Sequence, residues 1–413
     1  MALVRTAPWA EERGVAQEAA KRAAAARARD AGPRQRQPRP EEHDPLRRSV
    51  QRHGDERLDG EAETVEHGRG RYPGDYAAPV TAVLFTCAGQ RVDIVSAFGR
   101  AGATTVAIDV DPLAPALFHA DHAEHAPRIR EDGYVSFLQG LVAEHDVRLV
   151  VPLTDLDHLK LVRARDELGA LVLLPAEDVV RRVGDKYLAH RFFEERGIPS
   201  PRSWLPDDVP DDARFPLLVK VREGFGSRHI HRAHDRAELD FFLGYTTVES
   251  FVQTCCRGEE FSIDVFCDLD GRCLNAIPRT MIQSKGGESI KGMTIQDRDL
   301  IEFGAEVAEA LGLVGPATIQ CFREEDGRHE VTDVNPRFGG AFPLPLAAGS
   351  RYPELALQLA NGERPEPRLG DFRAGVVMTR FFSHLCLIAG DDGSLVPFAE
   401  ELPEPVAVEP GEA

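Results

Sequence analysis

A lysine followed by closely spaced glycines is the first group of residues that could carry chemistry. Lys220 lies near the end of the apolar run Leu217–Val221, and Gly224, Gly226 and Ser227 follow in the next loop. Glycines let the backbone approach an anion closely, with amide groups pointing inward as donors, and an ammonium supplies a point charge for phosphate oxygens. The pattern therefore predicts a phosphate site, although a plain hairpin turn gives the same pattern. Because the lysine precedes the glycines, this is not a Walker loop.

A second group combines oxygen-bearing side chains with an arginine. Asp333 and Asn335 alternate in a predicted strand and so project from one face, and Gln320 lies on the strand before it. Carboxylate and amide oxygens suit Mg²⁺, a hard cation that often bridges a protein to substrate phosphates. Arg337 follows, where a planar cation would stabilise charge developing on a transferring phosphoryl group. The alternative interpretation is a solvated strand end.

Residues 253–260 join two predicted strands and offer groups for a nucleotide base and sugar. Backbone groups in such a linker are free to pair with the edge of an adenine, and Glu260 could accept hydrogen bonds from ribose hydroxyls. The adjacent Cys255 and Cys256 are interpreted as small packing residues, not as redox partners.

The segment that begins at Arg279 holds the remaining substrate candidates. Arg279 and Lys285 could steer an anionic acceptor, and Glu288 could orient an amine. An exposed hairpin loop explains the same residues equally well. Arg91 and Asp155, in the first half of the chain, either line a substrate edge or only cap helices.

The elements that must position these groups fall into two regions. Between residues 79 and 182, apolar strands alternate with helical patterns, which predicts a parallel sheet covered on both faces; the predicted elements include strands at Ala82–Cys87, Thr104–Ile108, Arg148–Pro152 and Leu171–Leu174 and helices at Arg91–Ala101 and Leu156–Leu168. Residues 183–388 combine hairpin-like strands with a helix at Asp297–Leu311, which indicates an α+β domain with antiparallel strands.

The two ends of the chain differ from the rest in composition. Residues 1–78 are rich in Arg, Ala, Glu, Pro and Gly, with few aliphatic clusters. Such a segment cannot bury enough apolar surface to offset its ordering entropy, so we predict a disordered extension. Residues 389–413 are acidic and contain prolines, and we predict a C-terminal tail there.

Bulk composition excludes several classes of function. The 413 residues carry a formal net charge of −19, which disfavours a nucleic-acid partner. No apolar run approaches the roughly 18–20 residues of a membrane-spanning helix. The seven cysteines contain no CxxC pair, so a disulfide framework and a zinc site are disfavoured. We therefore expect a protein of the reducing cytoplasm.

The three chemical segments, in this order and spacing, resemble the ATP-grasp superfamily. Their pattern is most similar to that of carbamoyl-phosphate synthase large chains and related carboxylate–amine ligases. Further segments resemble the same group, namely Phe85–Val92, Val151–Asp155, Asp185–Lys186 and Phe192–Pro201. The resemblance covers about residues 80–385. It implies an α/β, Rossmann-like pre-ATP-grasp domain followed by a two-lobed, α+β ATP-grasp domain.

The resemblance also implies roles for individual residues. The implied ATP-binding residues are Lys186, Lys220, Gly224, Gly226, Ser227, Gln253, Thr254, Cys256 and Glu260. The implied magnesium ligands, which admit Mn²⁺ as a substitute, are Gln320, Asp333 and Asn335, with Arg337 and Lys220 as the catalytic cations. Thr254 departs from the charged residue usual in the linker. Asp333 stands where Glu is usual, and Gln320 is uncharged, which implies weak metal binding without ATP.

The function implied by this resemblance is an ADP-forming ligase. It would phosphorylate a small carboxylate to an acyl phosphate, which an amine, most plausibly of an amino acid, then attacks; a homodimer is compatible with this. The alternatives are bicarbonate activation of the carbamoyl-phosphate type and a nucleotide-binding module without turnover. A dinucleotide oxidoreductase is disfavoured, because the turn after the first strand, Cys87–Arg91, lacks the Gly-x-Gly-x-x-Gly pattern.

Overall fold

A computed structural model of the chain describes residues 81–224, 230–285, 288–381, 383–390 and 394–398. The predicted N-terminal extension, most of the predicted C-terminal tail, and Gly226 and Ser227 lie outside the described residues. Among the helices that are described, none has the length and apolar character needed to cross a membrane. All seven cysteines are described, and all are free thiols.

A five-stranded parallel sheet forms the first part of the described chain. Its strands are β1 (Ala82–Thr86), β2 (Thr104–Asp109), β3 (His122–His125), β4 (Val147–Pro152) and β5 (Leu171–Val172), and they pair in the order β3-β2-β1-β4-β5. All four pairings are parallel. The central strand β1 is buried at every position, as expected for a sheet covered on both faces. The predicted parallel α/β domain is therefore confirmed.

Three helices accompany this sheet: α1 (Val92–Arg100), α2 (Tyr134–Glu144) and α3 (His158–Arg163). The apolar residues of α1 pack on one face, and those of α2 and α3 pack on the other. The prediction of a helix at Leu156–Leu168 was too long. The chain leaves α3 through a turn in which the backbone N–H groups of Glu167 and Leu168 both donate to Ala164 O.

A small antiparallel sheet follows two helices, α4 (Glu177–Gly184) and α5 (Lys186–Arg196). Its strands are β6 (Ser203–Trp204), β7 (Leu217–Val221), β8 (His231–Ala233) and β9 (Ser250–Thr254), paired in the order β6-β9-β7-β8. Helix α6 (Arg236–Tyr245) contributes Leu239 to the apolar core beneath this sheet.

The larger part of the antiparallel region is built from the elements that follow: β10 (Glu259–Cys267), β11 (Cys273–Thr280), β12 (Gln283–Lys285), β13 (Glu288–Met293), α7 (Arg298–Leu311), β14 (Gly315–Arg323), β15 (His329–Asn335), α8 (Pro343–Ala347), α9 (Tyr352–Ala360) and β16 (Val377–Thr379). Four strands form a sheet in the order β11-β10-β14-β15, and the other three pair as β12-β13-β16. Helix α7 covers the apolar face of the four-stranded sheet. The other face carries polar side chains such as Ser262 and Asp264, together with apolar residues such as Phe266 and Ile277 that belong to the core shared with the parallel sheet.

A short hairpin of β17 (Leu387–Ala389) and β18 (Leu395–Pro397) closes the described chain. Residues 395–397 belong to the C-terminal tail that composition predicts, and they pair with residues 387–389. Backbone pairing between three residues of β17 and three of β18 stabilises this hairpin, which the amino-acid composition of the segment does not indicate.

One apolar core joins the parallel sheet to the antiparallel region. Phe98 on α1 packs edge-on against Phe338, which in turn packs against Phe342. The same core contains Tyr352 on α9, and α9 packs on α1 and β4. The loop after β15 is therefore fixed from both sides, and the candidate site is built on that loop.

Candidate functional site

Lys186 is positioned by the start of helix α5. Asp185 caps the helix, and its Oδ1 accepts from the backbone N–H groups of Tyr187 and Leu188. The other carboxylate oxygen accepts from Arg222 Nε at 3.0 Å, and the backbone N–H of Lys186 donates to Arg222 O. The cap therefore fastens Lys186 to the end of β7, next to the loop that contains Gly224.

Lys186 and Asp333 form a direct ion pair across 147 residues of sequence. Lys186 Nζ lies 2.5 Å from Asp333 Oδ1. Burial by itself would raise the pKa of Asp333, but the positive charges of Lys186 and Lys220 outweigh it and hold the pKa below its usual value. Asp333 is therefore an ionised carboxylate at neutral pH, as a metal ligand must be.

Lys220 is a buried cation on β7. Its Nζ donates to Gln253 Oε1 at 3.1 Å and lies 5.7 Å from the ring centre of Phe251. Burial lowers the pKa of Lys220 to about 8, with nearby Asp333 opposing the shift and Lys186 adding to it. A lysine held in this way is a fixed charge that is ready to meet an anion.

Gln253 connects Lys220 to a residue that sequence analysis missed. Gln253 Nε2 is 2.8 Å from His190 Nε2 and donates to Ser203 Oγ at 3.0 Å. Burial lowers the pKa of His190 to about 3, and the charge of Lys220 adds to the shift. His190 is therefore neutral and accepts from Gln253, which orients the amide oxygen toward Lys220. His190 shares the buried face of α5 with Ala189, Phe192 and Phe193, and a histidine among these apolar residues was the signal in the sequence that could have identified it.

Four polar residues form one row across the four-stranded sheet. Arg279 pairs with Ser262, Ser262 with Gln320, and Gln320 with Asp333. Residues directly opposite one another in antiparallel strands point to the same face, so the row runs from β11 to β15. A register shift after Gln320 leaves Thr332 bulged, and such bulges re-aim neighbouring side chains.

Asn335 and Arg337 continue the site beyond this row. Asn335 Nδ2 lies 3.3 Å from Asp333 Oδ2, and Asn335 Oδ1 accepts from Arg337 at 3.4 Å. Arg337 Nε also donates to Asp155 Oδ2 at 3.0 Å. Lys186, Asp333, Asn335 and Arg337 therefore form one continuous chain of contacts, which ends on the loop after β4.

The loop that contains Arg337 is also held by Arg91, at the start of α1. The Arg91 guanidinium donates to the carbonyl oxygens of Phe338 and Gly339, both at 3.0 Å. The same guanidinium forms an ion pair with Asp93. Arg91 and Asp155 thus both contact the Arg337 loop. Whether they line a substrate edge stays a prediction.

The linker between β9 and β10 lies where the sequence placed it. Thr254 is the last residue of β9, and its backbone N–H donates to Arg202 O. Cys256 is half-buried, and its thiol lies 3.7 Å from Glu330 Oε2. Glu260 is half-buried on β10, and burial raises its pKa against the opposing charges of Arg279 and Lys220. Burial raises the pKa of the Cys256 thiol well above the ordinary value, so the thiol stays protonated at neutral pH.

The Arg279 side chain is more buried than expected for a residue that steers an anionic acceptor substrate. Its Nε donates to Asp264 Oδ2 at 2.7 Å, and both side chains are almost fully buried. Thr318 Oγ1 donates to the other Asp264 oxygen. Glu260, Ser262 and Asp264 alternate along β10, so period-two polarity was a signal for this polar face that sequence analysis did not use. Lys285 and Glu288 pair only as backbone partners, and their side chains lie outside the described residues.

The candidate metal ligands fit a hard divalent cation. Asp333 offers an ionised carboxylate, Asn335 an amide oxygen, and Gln320 lies directly opposite Asp333 on the next strand. Such an all-oxygen set suits Mg²⁺ or Mn²⁺ better than a thiolate-seeking metal. At present Lys186 occupies one Asp333 oxygen and the Asn335 side chain contacts the other.

Two protein families match parts of the chain. Residues 246–381 match the family described as "ATP-grasp in the biosynthetic pathway with Ter operon", and residues 83–172 match the family described as "PylC-like, N-terminal domain". The second match falls on the parallel sheet, and the first falls on the sheet that holds the magnesium candidates. Together they contain most of the site, but Lys186, His190, Lys220 and Gly224 lie outside both ranges.

Known proteins similar to this chain are ligases and carboxylases. The carbamoyl phosphate synthase large chain of Clostridium beijerinckii is 24% identical over 226 residues, which are 50% of this chain and 21% of that protein. The chain thus spans about a fifth of that relative's length.

Two solved structures share the fold. The L-amino acid ligase from Bacillus licheniformis has a TM-score of 0.57 at 18% identity, covering 72% of this chain and 78% of that one. The biotin carboxylase domain of 2-oxoglutarate carboxylase from Hydrogenobacter thermophilus, solved as a dimer with MgADP and bicarbonate, has a TM-score of 0.59 at 18% identity, covering 72% and 73%.

Proposed function

Because the chain carries an ATP-grasp domain preceded by a PylC-like N-terminal domain, we propose that it is an ATP- and Mg²⁺-dependent ligase that joins a carboxylate to an amine. The observation that carries this proposal is the unbroken contact chain from Lys186 through Asp333 and Asn335 to Arg337. Lys186 in this chain would bind phosphate, Asp333 and Asn335 would bind the metal ion, and Arg337 would stabilise the transferring group, which are the roles that phosphoryl transfer needs.

In the first step, the carboxylate substrate attacks the γ-phosphorus of ATP. The bond to the bridging oxygen breaks, and the products are an acyl phosphate and ADP. Lys186 and Lys220 hold the phosphates, and Arg337 stabilises the charge that develops on the transferring group. Asp333, Asn335 and Gln320 would hold magnesium, which would offset the negative charge of the phosphates.

In the second step, the amine nitrogen attacks the carbonyl carbon of the acyl phosphate. A carbon–nitrogen bond forms, the carbon–oxygen bond to the phosphoryl group breaks, and phosphate leaves with a proton from the amine. Arg337 neutralises the departing phosphate. Water must be excluded during this step, since it would hydrolyse the intermediate.

The test is ADP release by the purified chain with Mg-ATP and separate pools of carboxylic acids and amino acids. We expect release that depends on one acid and one amine, falling at least about 100-fold in Arg337→Ala, as for loss of an electrostatic contact in a transition state. Arg364→Ala, at an exposed arginine, is the control. Formation of AMP and pyrophosphate would overturn the proposal.

A second candidate is bicarbonate as the activated acid, because the biotin carboxylase domain with a similar fold was solved with that anion. Bicarbonate is therefore tested alone, in buffers purged of carbon dioxide. ADP release that depends on bicarbonate and on no other acid would favour this candidate over an organic carboxylate.

A further inference from the structure

A second row of residues crosses the four-stranded sheet beside the row that ends at Asp333. Asp264 on β10 lies directly opposite Thr318 on β14, and Thr318 lies directly opposite Asn335 on β15. Residues opposite one another in antiparallel strands share a face of the sheet, and alternate residues of a strand also share a face. The second row therefore lies on the same face as Asp333, and it connects Asp264 through one residue to a candidate magnesium ligand.

The Asp264 carboxylate is buried, and both of its oxygens accept short hydrogen bonds. Oδ1 accepts from Thr318 Oγ1 and Oδ2 accepts from Arg279 Nε, both at 2.7 Å. The side chains of Asp264 and Arg279 are only 3% and 4% exposed, respectively. A buried carboxylate needs a cation beside it, and Arg279 supplies that charge. Because both oxygens are occupied by protein donors, Asp264 supports other protein groups and does not bind a ligand.

The loop that carries Arg337 lies against this hydrogen-bonded pair. A Cβ at Gly339, two residues after Arg337, would lie 2.4 Å from Thr318 Oγ1 and 3.2 Å from Asp264 Oδ1. Only a residue without a side chain allows the backbone to approach so closely. The distance between the loop and the sheet is therefore determined by the Thr318 hydroxyl.

The orientation of Thr318 depends in turn on Asp264. A threonine side chain has three staggered positions about χ1, and rotation from the observed one would place either the methyl group or a hydrogen atom where Oγ1 lies now. A methyl group there would press against the Gly339 backbone, whereas a hydrogen atom would leave a gap beneath the loop. The hydrogen bond to Asp264 Oδ1 selects the position that fits.

We propose that Asp264 is a positioning residue for phosphoryl transfer, which acts on Arg337 through Thr318 and the loop at Gly339. Arg279 holds Asp264 in place, and this is the role of Arg279 in the site. The inference rests on the proposed ligase function, in which Arg337 stabilises the transferring group. A shift of about 1 Å in such a group can lower the rate by about 100-fold, so Asp264 affects kcat without contacting ATP.

The first test changes only the Thr318 side chain. Thr318→Val keeps its shape but lacks the hydroxyl, whereas Thr318→Ser keeps the hydroxyl. ADP formation is measured with Mg-ATP and with the acid and the amine that the wild type uses, and calorimetry gives the Kd for Mg-ATP. In Thr318→Val we expect kcat to fall at least about tenfold, with the KM and the Kd for Mg-ATP within about twofold of wild type. In Thr318→Ser, kcat should stay within about threefold of wild type, because the hydrogen bond to Asp264 is kept. Thr247→Val, at an exposed threonine, is the control.

The second test determines whether Asp264 acts through the same hydroxyl. Asp264→Leu combined with Arg279→Met replaces the buried ion pair by apolar groups of similar size, which a fold tolerates better than the loss of one partner. We expect this double variant to lose as much kcat as Thr318→Val does. Adding Thr318→Val to it should cause no further loss, because the hydroxyl then has no acceptor.

Several results would overturn the positioning role. One is a folded Thr318→Val protein with the kcat of wild type, and another is a Thr318→Ser protein as impaired as Thr318→Val. A Kd for Mg-ATP that rises as much as kcat falls would indicate general damage to the fold. Losses that multiply in the triple variant would mean that Asp264 and Thr318 act independently. A wild-type protein that releases no ADP with any acid overturns the ligase function itself, and this inference with it.

Discussion

Lys186 Nζ lies 2.5 Å from Asp333 Oδ1, so the side chain that would hold a phosphate is bound to the side chain that would hold a metal ion. In this ion pair, Lys186 spends a donor on Asp333 that phosphate would use, and Asp333 spends an oxygen on Lys186 that a metal ion would use. We expect the pair to loosen when Mg-ATP enters and the phosphate oxygens to become partners of Lys186. Without ATP, the lysine competes with the cation for the same oxygen.

This competition gives a prediction for Lys186→Met. Removing the ammonium should strengthen Mg²⁺ binding to the ATP-free protein by about tenfold, equivalent to roughly 1.4 kcal/mol, and should weaken ATP binding. Calorimetric titrations with Mg²⁺ alone and with ATP alone measure the two effects. Asp333→Asn is the opposite control, since it should abolish metal binding and keep ATP binding. If both ligands bind Lys186→Met more weakly, the ion pair does not compete with the metal.

The lowered pKa of Lys220 predicts pH-dependent nucleotide binding. A pKa near 8 leaves about one tenth of the ammonium groups charged at pH 9. The Kd for Mg-ATP should therefore rise about tenfold between pH 7 and pH 9. In Lys220→Arg, which stays charged throughout, this dependence should disappear even if the affinity is lower at every pH.

The same shift has a consequence for stability, with a defined sign. Between about pH 8 and 10.5 the unfolded chain holds a proton that the folded Lys220 has released. The free energy of unfolding therefore gains from Lys220 as pH rises through this window. The pH dependence of the free energy of unfolding, compared with that of Lys220→Met, measures this contribution. A wild-type stability that falls relative to Lys220→Met as pH rises would contradict a lowered pKa for the buried Lys220.

His190 predicts an acid-sensitive fold. Its pKa of about 3 lies below that of an unfolded histidine near 6.5, so the unfolded state binds the extra proton between these values. The free energy of unfolding should fall by about 2 kcal/mol from this group alone between pH 7 and pH 5. Urea denaturation of His190→Gln should show a correspondingly weaker pH dependence. His234→Gln, on the surface, should leave the wild-type dependence intact.

The close packing around Gly339 allows a steric test of whether the Arg337 loop is rigid. A Cβ at this position would lie 2.4 Å from Thr318 Oγ1 and 3.2 Å from Asp264 Oδ1. Gly339→Ala should therefore destabilise the fold by about 2 kcal/mol, as overpacking does, and should lower ADP formation by moving Arg337. Adding Thr318→Ala should recover part of the stability, because it removes the closest atom.

Gly244→Ala is the matched control for this substitution. Gly244 lies in helix α6, and a Cβ there meets nothing within 4 Å. Alanine should stabilise the helix by roughly 0.5–1 kcal/mol. Thermal unfolding of both variants separates the two cases, and a neutral Gly339→Ala would show that the loop can shift without cost.

Sequence reasoning reached those parts of the site that depend on local pattern. Lys220 at a strand end, and Asp333 and Asn335 at alternate positions of a strand, follow from periodicity and side-chain chemistry. The strand boundaries were close for the same reason: the apolar run Leu217–Val221 coincides with β7.

The remaining parts depend on contacts that no local pattern contains. Asp155 is 182 positions from Arg337 in sequence, and their contact exists only because two sheets share a core. The row that aligns Arg279 with Asp333 depends on the register of three strand pairs. Register is set by the packing of the buried faces, so a sequence with alternating polarity fixes which face is polar but not which residues are neighbours.

Arg91 and Asp155 give the loop after β15 two attachments outside its own domain. The consequence concerns how such a protein can be recombined. In a chimera that exchanges residues 81–172 with those of a relative, we expect Arg337 to keep its position only if the donor supplies an arginine after the first strand and an aspartate after the fourth. Arg91, Asp155 and the loop after β15 should therefore be exchanged together, although they belong to two different domains.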